Sequence, residues 1–255
     1  MISGQVINSI IKYANLSKDD TVLEIGPGIG FVTEKAAPEV KRLIAVEIDK
    51  DAIDVLSDLP FNNIDIINKD ILQTDFSLLV EERVKIIANI PYYITSPILV
   101  HLLGEIDEQT NKNRNLISEI ILMVQYEVAK RIVATNESHS KDYGLLSILC
   151  NFWAETEVLE KVPASAFYPK PKVDSALVRL RVRETPLFKL DDPKKFRRVI
   201  KGAFAMRRKT LVNSLSSSGF SKERIKSALA ELGFSENIRA ENLSIEDFKN
   251  LAQKL

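Results

Sequence analysis

Five short β-rich runs, at residues 21–25, 43–46, 64–67, 84–88 and 117–124, alternate with helical segments through the first half of the chain. Apolar runs of this length leave no polar face, so the sheet they form must be covered on both sides. That pattern predicts a mostly parallel α/β sheet. The helical segments fall at 6–14, 31–37, 49–56, 98–103 and 127–134, by their apolar spacing. Two further strand-like runs, 156–162 and 175–182, have no helix between them and predict an antiparallel pair at one edge. Beyond Pro186 the strand signals stop, and helices are expected over 193–215, 222–232 and 245–255. Ser221 precedes the second of these with Arg224 where a capping box needs an acid, and Gly233 stands where that helix should end. Ser244 with Asp247 comes close to a full box. The expected organisation is a sheet domain over 1–184 and a small helical domain over 185–255.

Composition narrows the class. A single cysteine, Cys150, rules out an internal disulfide scaffold, and two histidines leave few soft ligands for a structural zinc. Neither a membrane-spanning apolar run nor a secretory leader is legible, so a cytoplasmic protein is expected. The formal charge is zero, but residues 161–213 hold 15 Lys and Arg against four acids, a local net charge of +11. Such asymmetry suggests a polyanion-binding part, although on charge alone a solvated basic face is the favoured reading.

Three strand ends carry the first chemistry. Glu24-Ile25-Gly26-Pro27-Gly28-Ile29-Gly30 joins the first strand to a helix, where glycines let the backbone turn tightly and approach a ligand. A dinucleotide fingerprint needs a third glycine where Phe31 stands, which argues against a nicotinamide cofactor. Glu47, with Ile48 behind it, closes the second strand 21 positions after Gly26 and can accept both hydroxyls of a ribose. Asp70 closes the third and can accept from an adenine amine while Ile71 packs on the ring. Singly, these read as a plain tight turn and two surface carboxylates. At successive carboxyl ends they converge on the crevice where open α/β sheets bind ligands, and point to an adenosine-containing cofactor.

The fourth strand ends in Asn89-Ile90-Pro91-Tyr92. The exocyclic amine of adenine is a poor nucleophile because its lone pair is delocalised into the ring. Two acceptors, the Asn89 side-chain oxygen and the Ile90 carbonyl, can hold its hydrogens and aim it at an electrophilic methyl. Pro91 stiffens the turn, and Tyr92 can stack on the base, worth ~1–3 kcal/mol by analogy with single-strand platforms.

This pattern resembles the class I S-adenosylmethionine-dependent methyltransferases that act on exocyclic amines, with their (Asn/Asp/Ser)-x-Pro-aromatic motif. Asn-Ile-Pro-Tyr followed by Tyr93-Ile94-Thr95-Ser96-Pro97 resembles the ribosomal RNA adenine dimethyltransferases. So do Val124-Gln125-Tyr126-Glu127, Lys141-Asp142-Tyr143-Gly144 and the run from Val162-Pro163-Ala164 to Asp174-Ser175-Ala176. Ala205-Met206-Arg207-Arg208-Lys209-Thr210-Leu211 and Arg239-Ala240-Glu241-Asn242-Leu243-Ser244 favour the small-subunit KsgA/Dim type over the large-subunit Erm type. The resemblance implies a seven-stranded Rossmann-like sheet with a small C-terminal helical domain. It also implies S-adenosylmethionine as methyl donor and dimethylation of two adjacent adenines of small-subunit rRNA within an immature ribosomal particle by a monomer. The alternatives are the large-subunit reaction and a non-catalytic assembly factor on the same fold. The family usually opens with a basic stretch and Gly-Gln-(Asn/His/Cys)-Phe-Leu well ahead of the first helix. Gly4-Gln5 abuts that helix instead, so this chain is expected to start too late for the segment.

Within this resemblance Glu24 supports the cofactor turn, and Phe167 is a second stacking face for the target base or a turn-packing aromatic. In the basic stretch, Phe196, Val199, Ile200, Ala203, Phe204 and Leu211 read as core. Lys194, Lys195, Arg197, Arg198, Arg207, Arg208 and Lys209 read as RNA-phosphate contacts. His101 and Cys150 read as structural and His139 as a loop residue.

Overall fold

A computed structural model describes residues 3–90, 92–138 and 141–255, with Tyr92 described for its backbone alone. Pro91, the Tyr92 side chain and His139 therefore lie outside the described residues. The chain divides into two compact units. The first comprises residues 1–104, 110–130 and 154–184, and the second residues 105–109, 131–153 and 185–255. The composition change near Glu184 is one crossing between units, but the second unit also draws in two earlier segments.

In the first unit, α1 (Gly4–Ala14) is capped by Ser3, whose hydroxyl accepts the Val6 N–H at 3.4 Å. The helix buries Val6, Ile7, Ile10 and Ala14, one stripe at helical spacing. Gly4 and Gln5 are its first residues. Then follow β1 (Thr21–Ile25), α2 (Thr33–Ala36), β2 (Arg42–Glu47), α3 (Lys50–Ser57) and β3 (Ile64–Asn68). After β4 (Val84–Asn89) come α4 (Thr95–Leu103), α5 (Lys112–Asn115), β5 (Ile117–Gln125) and α6 (Tyr126–Val133). The helix expected over 31–37 is shorter than its pattern suggests. The glycine turn extends to Val32, and Pro38 tightens the chain after α2 into a single 3₁₀ turn.

Among the described residues, seven strands form one sheet in the order β3-β2-β1-β4-β5-β7-β6, where β6 is Ala154–Val162 and β7 is Ser175–Val182. The pairings from β3 to β5 are parallel, and β7 lies antiparallel between β5 and β6. This is the class I methyltransferase sheet. Its order reverses between β1 and β4, which puts the carboxyl ends of those strands side by side, Ile25 opposite Ala88.

The strands β5, β6 and β7 account for part of the basic excess in residues 161–213. Arg179 on β7 bonds Glu157 of β6 at 2.8 Å and the Tyr13 carbonyl at 2.7 Å, and lies 3.2 Å from Glu119 of β5. Arg181 lies 3.5 Å from Glu119, and Arg183 pairs with Glu155 at 2.9 Å. Cross-strand pairs of this kind hold register. Three of the 15 cations in the stretch at 161–213 are thus neutralised by acids elsewhere in the sequence.

In the second unit, α7 (Leu145–Trp153) buries Cys150, whose thiol is pushed up to about 12 by burial and is inert at neutral pH. The stretch 193–215 is not one helix. α8 (Pro193–Phe204) ends, residues 205–209 form turns, and α9 (Leu211–Ser217) starts afresh under a Thr210 cap. The apolar spacing runs through this break because both helices face the same core, with Phe204 and Leu211 buried. α10 (Lys222–Glu231) is followed by Gly233 at φ +77°, and α11 (Ile245–Lys254) starts with both halves of its Ser244–Asp247 box formed.

Candidate active site

A cleft of about 680 Å³ opens at the reversal of strand order in the first unit. It is lined by Glu24, Gly26, Gly28, Asn89, Ile90 and Phe167, all anticipated from the sequence. It is also lined by Ile29, Phe31, Val32, Tyr168, Pro169 and Pro171, which were not. Glu47, Ile48, Asp70 and Ile71 do not line this cleft. They stand at the ends of the neighbouring strands β2 and β3.

The glycine turn is specific in its conformation. Gly26 has φ +66°, and a Cβ there would lie 3.6 Å from the Asn89 carbonyl oxygen. The two strand ends are therefore neighbours, and it is the left-handed backbone of Gly26, not lack of space, that favours glycine there. Gly28 has φ +57° with nothing within 4 Å of where its Cβ would stand, so its backbone faces open space.

Glu47 is nearly buried, and its carboxylate organises the turn. Oε2 accepts the Gly28 N–H at 2.9 Å, and Oε1 accepts the N–H groups of Ile48 and Asp49 at 2.8 and 3.0 Å. A carboxylate presents about four lone-pair directions. Three are occupied by backbone donors, so Glu47 ties β2 to the glycine turn and keeps limited capacity for hydroxyls. Ile48 beside it is 66 % exposed, an apolar face at the strand end, whereas Ile71 is buried at 7 %. Asp70 uses Oδ1 to accept the Leu72 N–H at 2.9 Å, which caps the turn at residues 71–73.

Glu24 is 3 % exposed and accepts the Thr33 hydroxyl at 2.7 Å. Burial raises its carboxyl from the ordinary 4.5 to about 7. The Thr33 bond opposes that rise, and the nearby Glu47 charge adds to it. Its link to Thr33 pins the start of α2 beneath the turn, which matches the supporting role expected of it.

Phe167 is half-buried and packs partly against the core, while the adjacent Tyr168 is 74 % exposed. Both Phe167 and Tyr168 line the cleft. His101 is structural in its contacts: its Nε2 lies 3.0 Å from the Thr74 carbonyl and 3.1 Å from Asn113 Nδ2.

The basic residues of the second unit divide by partner. Arg197 bonds Glu105 and lies 3.3 Å from Asp107, and these acids hold its guanidinium more firmly protonated. Arg207 donates to the Tyr143 carbonyl. These two, expected from the basic stretch and the family resemblance to contact RNA, have internal partners. Lys194, Lys195, Arg198, Arg208 and Lys209 have no ion pair among the described residues, and all but half-buried Lys195 are exposed.

The family model for ribosomal RNA adenine dimethylase matches residues 1–255. The chain is 39 % identical to a protein of Caldanaerobacter subterraneus subsp. tengcongensis named ribosomal RNA small subunit methyltransferase A, over 98 % of this chain and 92 % of that one. It is 38 % identical to a protein of the same name from Moorella thermoacetica, over 100 % and 89 %. The fold is similar to a dimethyladenosine transferase from Plasmodium falciparum, with a TM-score of 0.78 and 27 % identity over 98 % of this chain and 95 % of that one. It is also similar to the 23S rRNA methyltransferase ErmE, with a TM-score of 0.70 and 28 % identity over 99 % and 98 %. With a match along its whole length and a cleft at the expected reversal of strand order, the chain belongs to the ribosomal RNA adenine dimethylase family.

Proposed function

We propose that this protein is an S-adenosylmethionine-dependent rRNA adenine N6,N6-dimethyltransferase, acting on two adjacent adenines of small-subunit rRNA during ribosome biogenesis. The carrying observation is the near-full-length identity of 37–39 % to relatives named for the small subunit. The fold alone does not choose, because ErmE shares it. The large-subunit alternative is set aside on the sequence relatives.

The residues present fit an adenosine-bearing methyl donor. Gly28 presents bare backbone to the open cleft, Glu47 and Asp70 supply acceptors at successive strand ends, and Ile48 presents an apolar face. Glu24, Gly26 and Gly28 would hold its amino-acid end, and Glu47, Ile48, Asp70 and Ile71 its adenosine. When bound, the donor supplies an electrophilic methyl on a sulfonium.

The chain's own residues position the other reactant. Asn89, half-buried at the end of β4, offers its side-chain oxygen to one amine hydrogen, and the Ile90 carbonyl takes the other. Held this way, the nitrogen lone pair is turned toward the methyl, and orientation supplies most of the rate. Tyr92 and Phe167 would hold the extruded base by stacking, with Pro91 stiffening the turn. The proton leaves after nitrogen has become cationic and acidic, so no strong base is required. Lys194, Lys195, Arg198, Arg208 and Lys209 contribute phosphate contacts, and the substrate is an immature particle met by a monomer in the cytoplasm. Among the described residues no helix is long and apolar enough to cross a membrane.

The test is methyl transfer to unmethylated small subunits and to large-subunit rRNA, with nucleoside analysis of the product. Dimethyladenosine in the small-subunit RNA alone is expected. Preferential modification of large-subunit RNA overturns the reading.

A further inference from the structure

The second unit contains a cavity of about 540 Å³ between the start of α8 and the start of α10. Its wall presents Lys194, Lys195, Arg198 and Arg224 against one acidic side chain, Asp192. Asp192 has a structural task, since its Oδ1 accepts the Lys195 N–H at 2.9 Å and caps α8. None of the four cations has an ion pair among the described residues, unlike Arg197 one step along the same helix.

Arg198 is arranged in advance. Its guanidinium carbon lies 4.5 Å from the centre of the Phe220 ring, and one Nη2 hydrogen points to the Gly219 carbonyl at 3.4 Å. A guanidinium held on a ring by one face and by one N–H keeps its other donors free and loses little freedom on binding. The amino end of α10 contributes nothing further, because Ser221 accepts the Arg224 N–H and donates to Glu223. The site is made of side-chain cations.

Lys194 and Arg198 also line a second cavity of about 500 Å³. The band of positive charge is therefore longer than one anion. We propose that this band is a seat for consecutive phosphodiesters of an RNA strand, with Arg198 the forked ligand of one phosphate, positioned by Phe220, and Arg224 the partner from the facing helix. This deepens the rRNA reading and rests on it. Neither Phe220 nor Arg224 was suggested by the charge pattern. Arg224 stands outside the basic stretch, and Phe220 carries no charge.

The experiment is a salt titration of binding to unmethylated small ribosomal subunits, with methyl transfer and cofactor affinity measured in parallel. Arg198→Ala/Arg224→Ala should weaken particle binding at least tenfold at low salt. It should reduce the log–log salt slope by roughly 0.7–0.9 for each lost contact. Cofactor affinity should be unchanged, and the loss should appear in the particle concentration needed for half-maximal methyl transfer. Arg198→Lys keeps the charge but not the fork, so it should retain most of the slope while losing affinity. Phe220→Leu should do the same. Lys226→Ala, whose lysine is paired with Glu236 at 2.6 Å, should match wild type. Inorganic phosphate at millimolar concentration should compete only weakly, because it fills one position of several. Affinity and slope of the double variant equal to wild type, with the wild type methylating normally, overturn the seat. A wild type that binds RNA through these residues but methylates no small subunit overturns the rRNA reading and leaves the seat standing.

Discussion

Replacing Glu24 by glutamine tests the electrostatics of the cleft floor. The folded carboxyl titrates at about 7 against an ordinary 4.5 because burial disfavours its charged form and Glu47 lies nearby. A gap of that size is worth about 3 kcal/mol, at about 1.4 kcal/mol per tenfold change in proton affinity. The sign follows from linkage. A group whose pKa is raised on folding contributes stability that is complete below its unfolded pKa and is lost as pH rises through its folded pKa. Wild type should therefore lose about 3 kcal/mol through Glu24 between pH 4.5 and pH 7, and little more above. The glutamine of the Glu24→Gln variant stays neutral throughout and can still accept the Thr33 hydroxyl. Its amide hydrogens add a constant cost if they find no partner, but that cost does not vary with pH. The quantity to read is the stability of the variant minus that of wild type, from urea unfolding at pH 5, 6, 7 and 8 and fixed ionic strength. It should rise steadily to pH 7 and then level off. Asp20 and Asp174, both lowered by their lysine partners, change charge below this window and cancel in the difference. A difference independent of pH would falsify the assignment of a raised carboxyl to this position.

Asn89→Ala should abolish methyl transfer while leaving cofactor affinity within a few-fold, because the oxygen it removes acts on the target amine at the transition state; calorimetry beside a turnover assay checks both. Gly30→Ala should destabilise by about 1–3 kcal/mol in urea unfolding, since the new Cβ would stand 2.9 Å from Leu56 Cδ2 at a φ of +89°. Arg83→Ala should cost about 1–3 kcal/mol in the same assay, because the guanidinium bonds the Ile117 and Val182 carbonyls and its loss leaves them unpaired. Arg208→Ala/Lys209→Ala should flatten the salt dependence of particle binding by roughly 0.7–0.9 per contact without altering cofactor binding.

The strands were legible because runs such as Leu43-Ile44-Ala45-Val46 are apolar on both faces, the helix over 6–14 because of its apolar spacing, and that over 245–255 because spacing and cap agreed. What sequence order hides is mostly contact at long range. The partner of Arg197 is Glu105, 92 positions away, so neither the basic stretch nor the family resemblance could show that the fold places Arg197 on an acid. The arginines of β7 were lost to the acids of β5 and β6 in the same way. Glu47 was recognised as a strand-end acid, but nothing local shows that the Gly28, Ile48 and Asp49 amides converge on it. The break between α8 and α9 was hidden because both helices share one apolar face. The only local sign was Thr210, a good cap residue inside an apparently continuous pattern. Tyr168 was overshadowed by its neighbour. Alternation along a loop does not say which aromatic turns inward, and here Phe167 packs partly on the core while both it and Tyr168 line the cleft.

Wild type and Asn89→Ala, given S-adenosylmethionine and unmethylated small ribosomal subunits, provide the most direct measurement when the RNA is digested and its nucleosides are identified. The account predicts N6,N6-dimethyladenosine at two adjacent adenines with wild type. It predicts none with the variant, although the variant still binds the cofactor. Dimethyladenosine formed by the variant at a rate near that of wild type would contradict the assignment of Asn89, and no methylation of the small subunit by wild type would contradict the proposed function itself.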